Sequence, residues 1–399
     1  MNIHDYSDIS GNQNKTVLMG CTQPYWSALQ VGSQHLARQF ARNGWHVHYF
    51  SAPISLLHLP KLFNSEVIKR LKSSVHYPTI HEHGMIQSYV PFSLIAPDGR
   101  FLLRNKVVTH HWFKTMVPSF NHLQHKMGIG QTTILYIDNL SYHFLLDQLK
   151  YQKSIFRVMD MHDHFSGWEG KAFGLAQKIA RQADVTVYSA NGLKSYADTL
   201  GARRISFMPN GVDFDFFQVE QPAGQKHPML QNIPGPIFLY TGMIDSRFDV
   251  RLIRSVAKTL PNVSFVFTGP FDIVGALNDM PANVYFTGPV PHDQLPWLMK
   301  SVKAGLIPFD VKNQRDLIQG IRPLKLFEYM ASGLPVISAR WPEIEKINSP
   351  AWLYDNETEF VAFVHKAIHN EYEPMSHLNF ARQHDWNQSF KIMLKTIYS

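Results

Sequence analysis

The sequence is poor in cysteine and has no long apolar segment, and each shortage excludes a class of protein. Among its 399 residues there is one cysteine, Cys21, which excludes an intramolecular disulfide framework and indicates a reducing compartment. No apolar run approaches the ~18 residues needed to cross a bilayer. The N-terminal stretch MNIHDYSDISGNQNK lacks the apolar core of a signal peptide. We therefore expect a cytoplasmic protein, which can still lie at the inner face of the cytoplasmic membrane.

Charged residues are also few, and they are unevenly distributed. They make up 17% of the chain against 45% hydrophobic residues, which is typical of a globular protein. Residues 1–218 carry 21 Lys and Arg against 14 Asp and Glu, whereas residues 219–399 carry 17 of each. The basic half indicates an anionic partner. Because its cations are scattered, we favour an anionic membrane with a lipid-linked acceptor over nucleic acid, and ordinary solubility charge is the alternative.

The chain alternates apolar, β-branched runs with helical patterns, which predicts an α/β fold with parallel sheets. Its length suits two domains, and the polar, proline-containing segment 218–235 separates them. We predict domains at 1–217 and 218–380, then a terminal helix over 381–399 that crosses back to the first. Two such sheets would face a central cleft that holds the ligand. The predicted strands cover 16–20, 47–50, 134–137, 155–158, 185–188, 237–240, 263–267, 284–286, 304–307 and 335–337.

Three helices are predicted in the first half of the chain. Residues 28–43 form the first, which Gly44 closes as a C-cap residue. Residues 60–74 form a basic amphipathic helix, which indicates either membrane docking or packing between domains. Residues 107–117 form a third helix, to which no role is assigned.

The most informative segment is 321–337. Pro323 suits the start of a helix and Gly333 its end, so a helix is predicted between them. The free amides of its first turn, with Lys325 one turn inside, form a site for a diphosphate. Glu328, one turn further on, can accept hydrogen bonds from two adjacent ribose hydroxyls. The alternative is a capped amphipathic helix in which Glu328 is merely solvated.

This segment resembles the donor-binding signature P-x-K-x-x-E-Y-x-A-x-G-x-P-V of glycosyltransferases with the GT-B fold, especially the retaining family 4-like enzymes. The matching residues are Pro323, Lys325, Glu328, Tyr329, Ala331, Gly333, Pro335 and Val336. The resemblance implies two Rossmann-like domains, with Glu328 on the ribose of the nucleotide. It also implies that Lys325, as a catalytic residue, and the local backbone at Pro323 and Leu324 meet the diphosphate or the sugar.

One position departs from the family, and several others agree with it. An earlier glutamate that contacts the transferred sugar is replaced by Gly320, so the backbone of 319–322 would take its place, with Arg322 as a phosphate contact. The motif at 210–213 and the strand near Asp184 also resemble the family. Four further donor-binding residues follow from the resemblance at strand ends: Gly242, Arg247, Gly269 and Val290.

The segment 157–168 brings carboxylates and imidazoles together after a predicted strand. Such residues can bind a metal, but at strand ends they more often form hydrogen-bonded walls, so neither metal nor cofactor is expected. The segment resembles the D-x-x-D-x-x-S stretch of bacterial exopolysaccharide and teichuronic-acid-type transferases. The resemblance implies His162 and Asp163 as catalytic residues that contact the acceptor hydroxyl or the donor sugar. The predicted acceptor-binding residues are Tyr25, Trp26, Asp160 and Ser166.

These motifs predict sugar transfer from a nucleotide-diphosphate sugar to a glycan or lipid-linked acceptor in polysaccharide or cell-envelope biosynthesis. A UDP-sugar is favoured as donor, with a GDP-sugar as the alternative. The resemblance implies retention, whereas an inverting enzyme would use Asp163 or a neighbouring histidine as general base. A nucleotide-sugar epimerase and a non-catalytic sugar-binding relative are the other functions to consider. An NAD enzyme is disfavoured because no G-x-G-x-x-G follows the first strand of either half.

Overall fold

The structure is a computed structural model that describes residues 15–61, 65–76, 78–95, 106–161, 171–218, 225–273 and 278–399. Contacts divide the chain into two units. The first unit holds the described residues up to Pro209 together with Ser389–Ser399, and the second holds Asn210–Gln388. Each unit is built on its own parallel sheet. The predicted domain limits at 217 and 380 and the predicted central cleft stay predictions.

The first unit contains an eight-stranded sheet in the order β10-β9-β8-β7-β1-β2-β5-β4, parallel except where β4 pairs antiparallel with β5. A separate parallel pair joins β3 and β6. The strands are β1 Thr16–Gly20, β2 His46–Phe50, β3 Ile54–Ser55, β4 Thr79–His81, β5 Ile86–Tyr89, β6 Phe92–Ser93, β7 Thr132–Ile137, β8 Tyr151–Val158, β9 Val185–Tyr188 and β10 Ile205–Phe207. The helices are α1 Gly32–Arg42, α2 Ser65–Val75, α3 Lys106–His111, α4 Phe120–Lys126, α5 Leu145–Gln148, α6 Lys171–Gln182 and α7 Lys194–Thr199.

All five strands predicted in the first half are present, because each is rich in apolar and β-branched residues. The side chains of Val17, Leu18 and Met19 in β1 are fully buried, as expected for a parallel sheet covered on both faces. The strands that sequence patterns missed are short or half polar, such as β4 and β5, and periodicity does not distinguish these from loops.

The predicted helices of the first half need three corrections. The first begins at Gly32 and not at residue 28, because 28–31 belong to the loop after β1, whereas Gly44 ends it with φ 77° as predicted. The second begins at Ser65 and follows a 3-10 helix, Leu56–Lys61; residues 62–64 lie outside the described residues. The third is α3 followed by a 3-10 turn, Trp112–Thr115, in which the buried indole of Trp112 donates to the Ser141 carbonyl at 2.8 Å.

The second unit contains a six-stranded, fully parallel sheet in the order β13-β12-β11-β14-β15-β16. Its strands are β11 Ile237–Thr241, β12 Ser264–Thr268, β13 Val284–Gly288, β14 Ala304–Ile307, β15 Val336–Ala339 and β16 Trp352–Tyr354. Its helices are α8 Phe214–Phe217, α9 Val250–Thr259, α10 Leu295–Lys300, α11 Arg315–Ile318, α12 Leu324–Ala331, α13 Pro342–Ile347, α14 Glu357–Ile368, α15 Pro374–Gln383 and α16 Trp386–Tyr398. One core, formed by both faces of the sheet and the helices around it, fills this unit.

The predicted terminal helix is in fact two helices, α15 and α16. The chain breaks between them at Asp385, whose carboxylate accepts from the backbone N–H of Phe214 at 2.9 Å and of Asn387 at 2.8 Å. Helix α16 starts in the second unit, and its residues from Ser389 onward belong to the first. Within the described part of the chain, no helix combines the length and apolarity that a membrane crossing requires.

Candidate functional site

The candidate site lies where the strand order of the second sheet reverses, between β11 and β14. In open parallel sheets, ligands bind beyond the carboxyl ends of the strands at such a switch point. The Nζ atom of Lys325 lies 3.8 Å from the ring centroid of Tyr240 in β11. It lies 5.3 Å from the ring centroid of Phe309, which follows β14. The structure therefore brings Lys325 to the position where this fold class binds its ligands.

Helix α12 presents Lys325 and Glu328 from its first turns. Pro323 is the N-cap residue, with ψ 124°, so the helix begins one residue after the predicted start. The N–H of Leu326 donates to the Pro323 carbonyl at 3.3 Å, whereas the amides of Leu324 and Lys325 precede the first intrahelical acceptor. Such amides at a helix start favour an anionic ligand. At the other end, Gly333 donates to Met330 at 2.9 Å and Leu334 donates to Tyr329 at 3.0 Å, the Schellman pattern that ends a helix.

The side chain of Tyr329 fixes this helix to the sheet. Its hydroxyl accepts a hydrogen bond from the backbone N–H of Thr241 at 2.8 Å. Its ring covers Gly305 in β14, where a Cβ atom would overlap the ring. The helix that carries the candidate residues is therefore held against both strands of the switch point.

Lys325 and Glu328 share an electrostatic property that is rare at a packed site. Neither side chain makes a hydrogen bond or an ion pair within the described residues, although Glu328 is only 8% exposed. Burial raises the pKa of Glu328 to about 7, against the lowering effect of Lys325. Desolvation, helped by the charge of Arg247, lowers the pKa of Lys325 to about 7. Both groups therefore have bonding capacity that the described residues do not use.

Glycine turns allow the main chain to come close at the neighbouring strand ends. Gly242 has φ 127° and donates to the Thr268 carbonyl at 2.9 Å. Gly269 has φ 141°, and a Cβ there would overlap the carbonyl oxygen of Gly242. Its own N–H donates to the Gly288 carbonyl at 2.9 Å. Val290, predicted to contact the base through its backbone, is buried just beyond β13.

The two arginines predicted at this site are engaged with carboxylates. Arg247 holds Asp245 through Nε, which donates to Oδ1 at 2.8 Å and to Oδ2 at 3.0 Å, and also through Nη2. Despite its burial, Asp245 has a lowered pKa because of these bonds. Arg322 is buried, and its Nη1 lies 3.4 Å from the Glu343 carboxylate, which is also buried. Their predicted contacts with the donor stay predictions.

The predicted acceptor residues in the first unit are held by polar bonds or lie at its surface. The hydroxyl of the buried Tyr25 donates to the Glu82 carboxylate at 3.0 Å. The indole N–H of Trp26 donates to Ser73 of α2 at 3.2 Å, and the ammonium of Lys69 lies 4.1 Å from its ring centroid. Asp160 is exposed in a bend after β8. The other predicted residues, His162, Asp163 and Ser166, lie outside the described residues.

Two family models match the chain in succession. The N-terminal domain of the glucuronosyltransferase GumK matches residues 19–188, and a glycosyl transferase-like family matches residues 247–392. Together they span most of both units. The chain is thus similar to glycosyltransferases in both units. The two sheets described above confirm the predicted fold of two Rossmann-like, parallel-sheet domains.

A curated relative and two solved structures are also similar to this chain. TuaH of Bacillus subtilis (strain 168), whose name assigns it to teichuronic acid biosynthesis, is 28% identical over 234 residues, which cover 55% of this chain and 57% of TuaH. The alignment thus spans little more than half of either protein. Sucrose-phosphate synthase from Thermosynechococcus elongatus has a TM-score of 0.66 at 14% identity, covering 96% of this chain and 98% of that chain. Anabaena HepE in complex with UDP has a TM-score of 0.60 at 11% identity, covering 96% and 99%.

Sequence analysis missed a buried polar cluster at the switch point of the first sheet. Asp138 directly follows β7, is 3% exposed and accepts from the backbone N–H of Thr22 at 3.1 Å and from the hydroxyl of Ser33. The fully buried Arg157 of β8 donates to the Tyr136 hydroxyl at 3.4 Å. A polar residue directly after an apolar strand was the available signal, and Asp138 provides it.

Proposed function

We propose that the protein transfers a sugar from a nucleotide-diphosphate sugar to a glycan or lipid-linked acceptor in polysaccharide or cell-envelope assembly. A UDP-sugar is the favoured donor, and a GDP-sugar is the alternative. The observation that carries the proposal is the position of Lys325 and Glu328 at the switch point, with no polar partner among the described residues. The UDP found in the structure of Anabaena HepE supports the choice of nucleotide.

The proposed chemistry follows from the charges at this site. Negative charge develops on the diphosphate as the sugar leaves, and Lys325 with the first amides of α12 stabilises it. The Glu328 carboxylate accepts hydrogen bonds from the ribose hydroxyls. Gly242 and Gly269 let the main chain approach the diphosphate without side-chain interference. No metal or cofactor is needed in this scheme.

The stereochemical part of the proposal is retention, with the leaving phosphate taking the proton of the acceptor. Proton NMR of the product gives the anomeric configuration directly. Inversion would overturn this part and direct attention to His162 or Asp163 as general base. The epimerase alternative is not favoured, because both family models and the named relatives are transferases.

The first experiment measures donor binding by calorimetry and thermal shift, with UDP- and GDP-sugars, with and without EDTA. A donor at ~100 times its Kd should stabilise the protein by roughly 2.7 kcal/mol. Glu328→Gln should weaken binding by about tenfold or more, since it replaces a carboxylate acceptor. The matched control is Glu371→Gln, which removes an exposed carboxylate elsewhere in the second unit. A folded protein that binds no nucleotide sugar would overturn the proposal, and binding abolished by EDTA would overturn its metal-free part.

We also propose that the first unit contacts an anionic membrane. Eight of the eleven exposed large hydrophobic side chains of the described residues lie between positions 56 and 117. Residues 52–117 carry eight Lys and Arg against three Asp and Glu. Exposed apolar groups among cations suit a surface of anionic lipids. A lipid-linked acceptor would be presented at such a surface.

Backbone pairing places the chain segments that carry four of these apolar side chains next to one another. Leu56 and Leu94 directly follow Ser55 and Ser93, which are register partners in β3 and β6. The N–H of Leu94 donates to Thr115 at 3.0 Å, and the N–H of Val117 donates to Phe92 at 3.0 Å. We name this surface the apolar patch; its members are Leu56, Leu94, Ile95 and Val117, between 44% and 53% exposed.

Helix α2 supplies cations beside the residues that carry this patch. Its Val67 packs against Ile54 and Val90, so one face of the helix is committed to the first unit. Lys69 and Lys72 are exposed on the helix. The helix thus has one face packed against the first unit. It also has exposed lysines, which membrane docking, one of the two alternatives predicted for it, requires.

Vesicle flotation tests the membrane proposal. Wild type should float with phosphatidylglycerol-containing vesicles and not with phosphatidylcholine alone. The double change Leu56→Ser and Leu94→Ser should weaken flotation by about tenfold or more. Serine does not supply the favourable free energy that a leucine side chain gains when it moves from water into the membrane interface. Met375→Ser, which removes an exposed methionine of the second unit, is the control. Equal flotation of the double variant and wild type would contradict the proposal.

A further inference from the structure

Lys325 has an aromatic environment in place of a carboxylate partner. Its Nζ lies 3.8 Å from the ring centroid of Tyr240, well inside the ~6 Å at which an aromatic face attracts a cation. The Phe309 ring is a second, more distant neighbour at 5.3 Å. Within the described residues no ion pair neutralises this lysine. Among the described residues, an aromatic face and not an ion pair is therefore in direct contact with this ammonium.

The ring of Tyr240 is held rigidly. Its hydroxyl donates to the Met243 carbonyl at 2.6 Å, and the residue is 1% exposed. Phe248 packs against it edge-on, with ring centroids 5.5 Å apart at 70°, and Phe267 lies 6.2 Å away. A ring anchored at its hydroxyl and enclosed at its edges cannot turn its face away from the lysine.

Two further features keep the charge of Lys325 available. The carboxylate of Asp245 is taken up by the guanidinium of Arg247, which donates from Nε at 2.8 Å and 3.0 Å. At Gly242, which has φ 127°, a Cβ atom would lie 3.0 Å from Nζ, so a larger residue there would crowd the ammonium. The lysine is thus located by an aromatic face and by an open backbone, and neither supplies a counter-charge.

We propose that Tyr240 is a positioning residue, whose aromatic face holds the Lys325 ammonium at the switch point and leaves its charge free for the donor diphosphate. This role rests on the proposed function, and in it Tyr240 affects the donor only through Lys325. An aromatic ring suits this task because it attracts a cation without neutralising it. A carboxylate at the same place would compete with the diphosphate for the lysine.

The test compares Tyr240→Phe with Tyr240→Leu by calorimetry with a UDP-sugar. Both changes remove the hydroxyl, and only the second removes the aromatic face. Tyr240→Phe should retain affinity within about twofold, whereas Tyr240→Leu should weaken it by about 3- to 30-fold, the range of a cation–π contact. Phe248→Leu, the same kind of change beside Tyr240 and without a contact to the lysine, is the control. Urea unfolding checks each variant, and Tyr240→Met replaces Tyr240→Leu if the latter does not fold.

The deciding measurement repeats the Tyr240 change in a Lys325→Gln background. If Tyr240 acts through Lys325, Tyr240→Leu should have no further effect on affinity there, because the contact is already absent. Additive losses would overturn the positioning role, as would equal losses in Tyr240→Phe and Tyr240→Leu. If Lys325→Gln leaves affinity unchanged, the donor-site assignment itself fails. The two failures are therefore distinguishable.

Discussion

The two sheets place charged residues at equivalent positions and use them in opposite ways. In the first sheet the order reverses between β7 and β1, and Asp138 at that point accepts from Thr22 and Ser33. In the second it reverses between β11 and β14, where Lys325 has no polar partner among the described residues. One charge stabilises its own loops, whereas the other is available to a ligand. Unused bonding capacity, more than location, distinguishes a candidate binding residue from a structural one.

The surroundings of Asp138 show how completely the first switch point is filled. Cys21, which follows β1, is a buried free cysteine, and burial with the nearby charge of Asp138 raises the pKa of its thiol. A buried thiol with a raised pKa is unreactive, so Cys21 acts as a small core residue at the end of β1. Burial also raises the pKa of Asp138 itself, against the lowering effect of its hydrogen bonds. The first switch point is a packed core feature.

The largest expected effect is a loss of stability when a side chain is added at Gly269. It tests whether the turns at the second switch point require the backbones of Gly242 and Gly269 to lie in close contact. Gly269→Ala should destabilise the protein by more than about 4 kcal/mol, because the new Cβ overlaps the Gly242 carbonyl oxygen. Gly288→Ala is the matched control: its φ of 75° is also positive, but nothing lies within 4 Å of the added Cβ. That change should cost about 1–2 kcal/mol. Urea unfolding gives both values, and similar costs would show that the turn is not tightly packed.

The next effect tests the contrast between a structural and a ligand-binding charge. Asp138→Ala should lower the free energy of unfolding by about 3 kcal/mol, because it leaves the donors of Thr22 and Ser33 unpaired in the interior. It should leave the affinity for a UDP-sugar unchanged. Glu328→Gln should do the reverse, with weaker donor binding and little loss of stability. Calorimetry measures the donor affinity of both variants, and urea unfolding measures their stability. A variant that loses affinity and stability together would contradict the contrast.

The smallest effect is the pH dependence of donor affinity. Glu328, with its pKa raised to about 7, loses its carboxylate as the pH falls, and Lys325, with its pKa lowered to about 7, loses its charge as the pH rises. Affinity for a UDP-sugar should therefore be greatest near pH 7 and fall by up to about tenfold per pH unit on either side.

Two variants assign the limbs of this profile. Lys325→Gln should flatten the alkaline limb, and Glu328→Gln the acidic one. A ring nitrogen of His292 lies within 4.8 Å of a Glu328 carboxylate oxygen, so His292→Gln serves as the control for that imidazole. Affinity that stays constant from about pH 5.5 to about pH 8.5 would contradict the role of both groups.

Sequence patterns predicted the second unit better than the first. All five strands predicted there are present, and their residues are mostly apolar. In the first unit, β4 and β5 are too short and too polar for a periodic signal. The start of α1 was predicted at residue 28 and lies at Gly32. The prediction was wrong because the capping residue, Val31, has no polar side chain to mark the start. Local pattern fails where an element is stabilised by neighbours distant in the sequence.

By itself the sequence determined the α/β rhythm, the helix that follows Pro323 and the residue types available at its start, because these depend on local periodicity and on a motif within one segment. Only the tertiary structure decided which charges remain available. Arg247 and Arg322 are engaged by Asp245 and Glu343, whereas Lys325 is held by the face of Tyr240, 85 positions earlier in the chain. Such pairings arise from strand order and packing, which bring distant residues together at one edge of a sheet, and no local pattern specifies them.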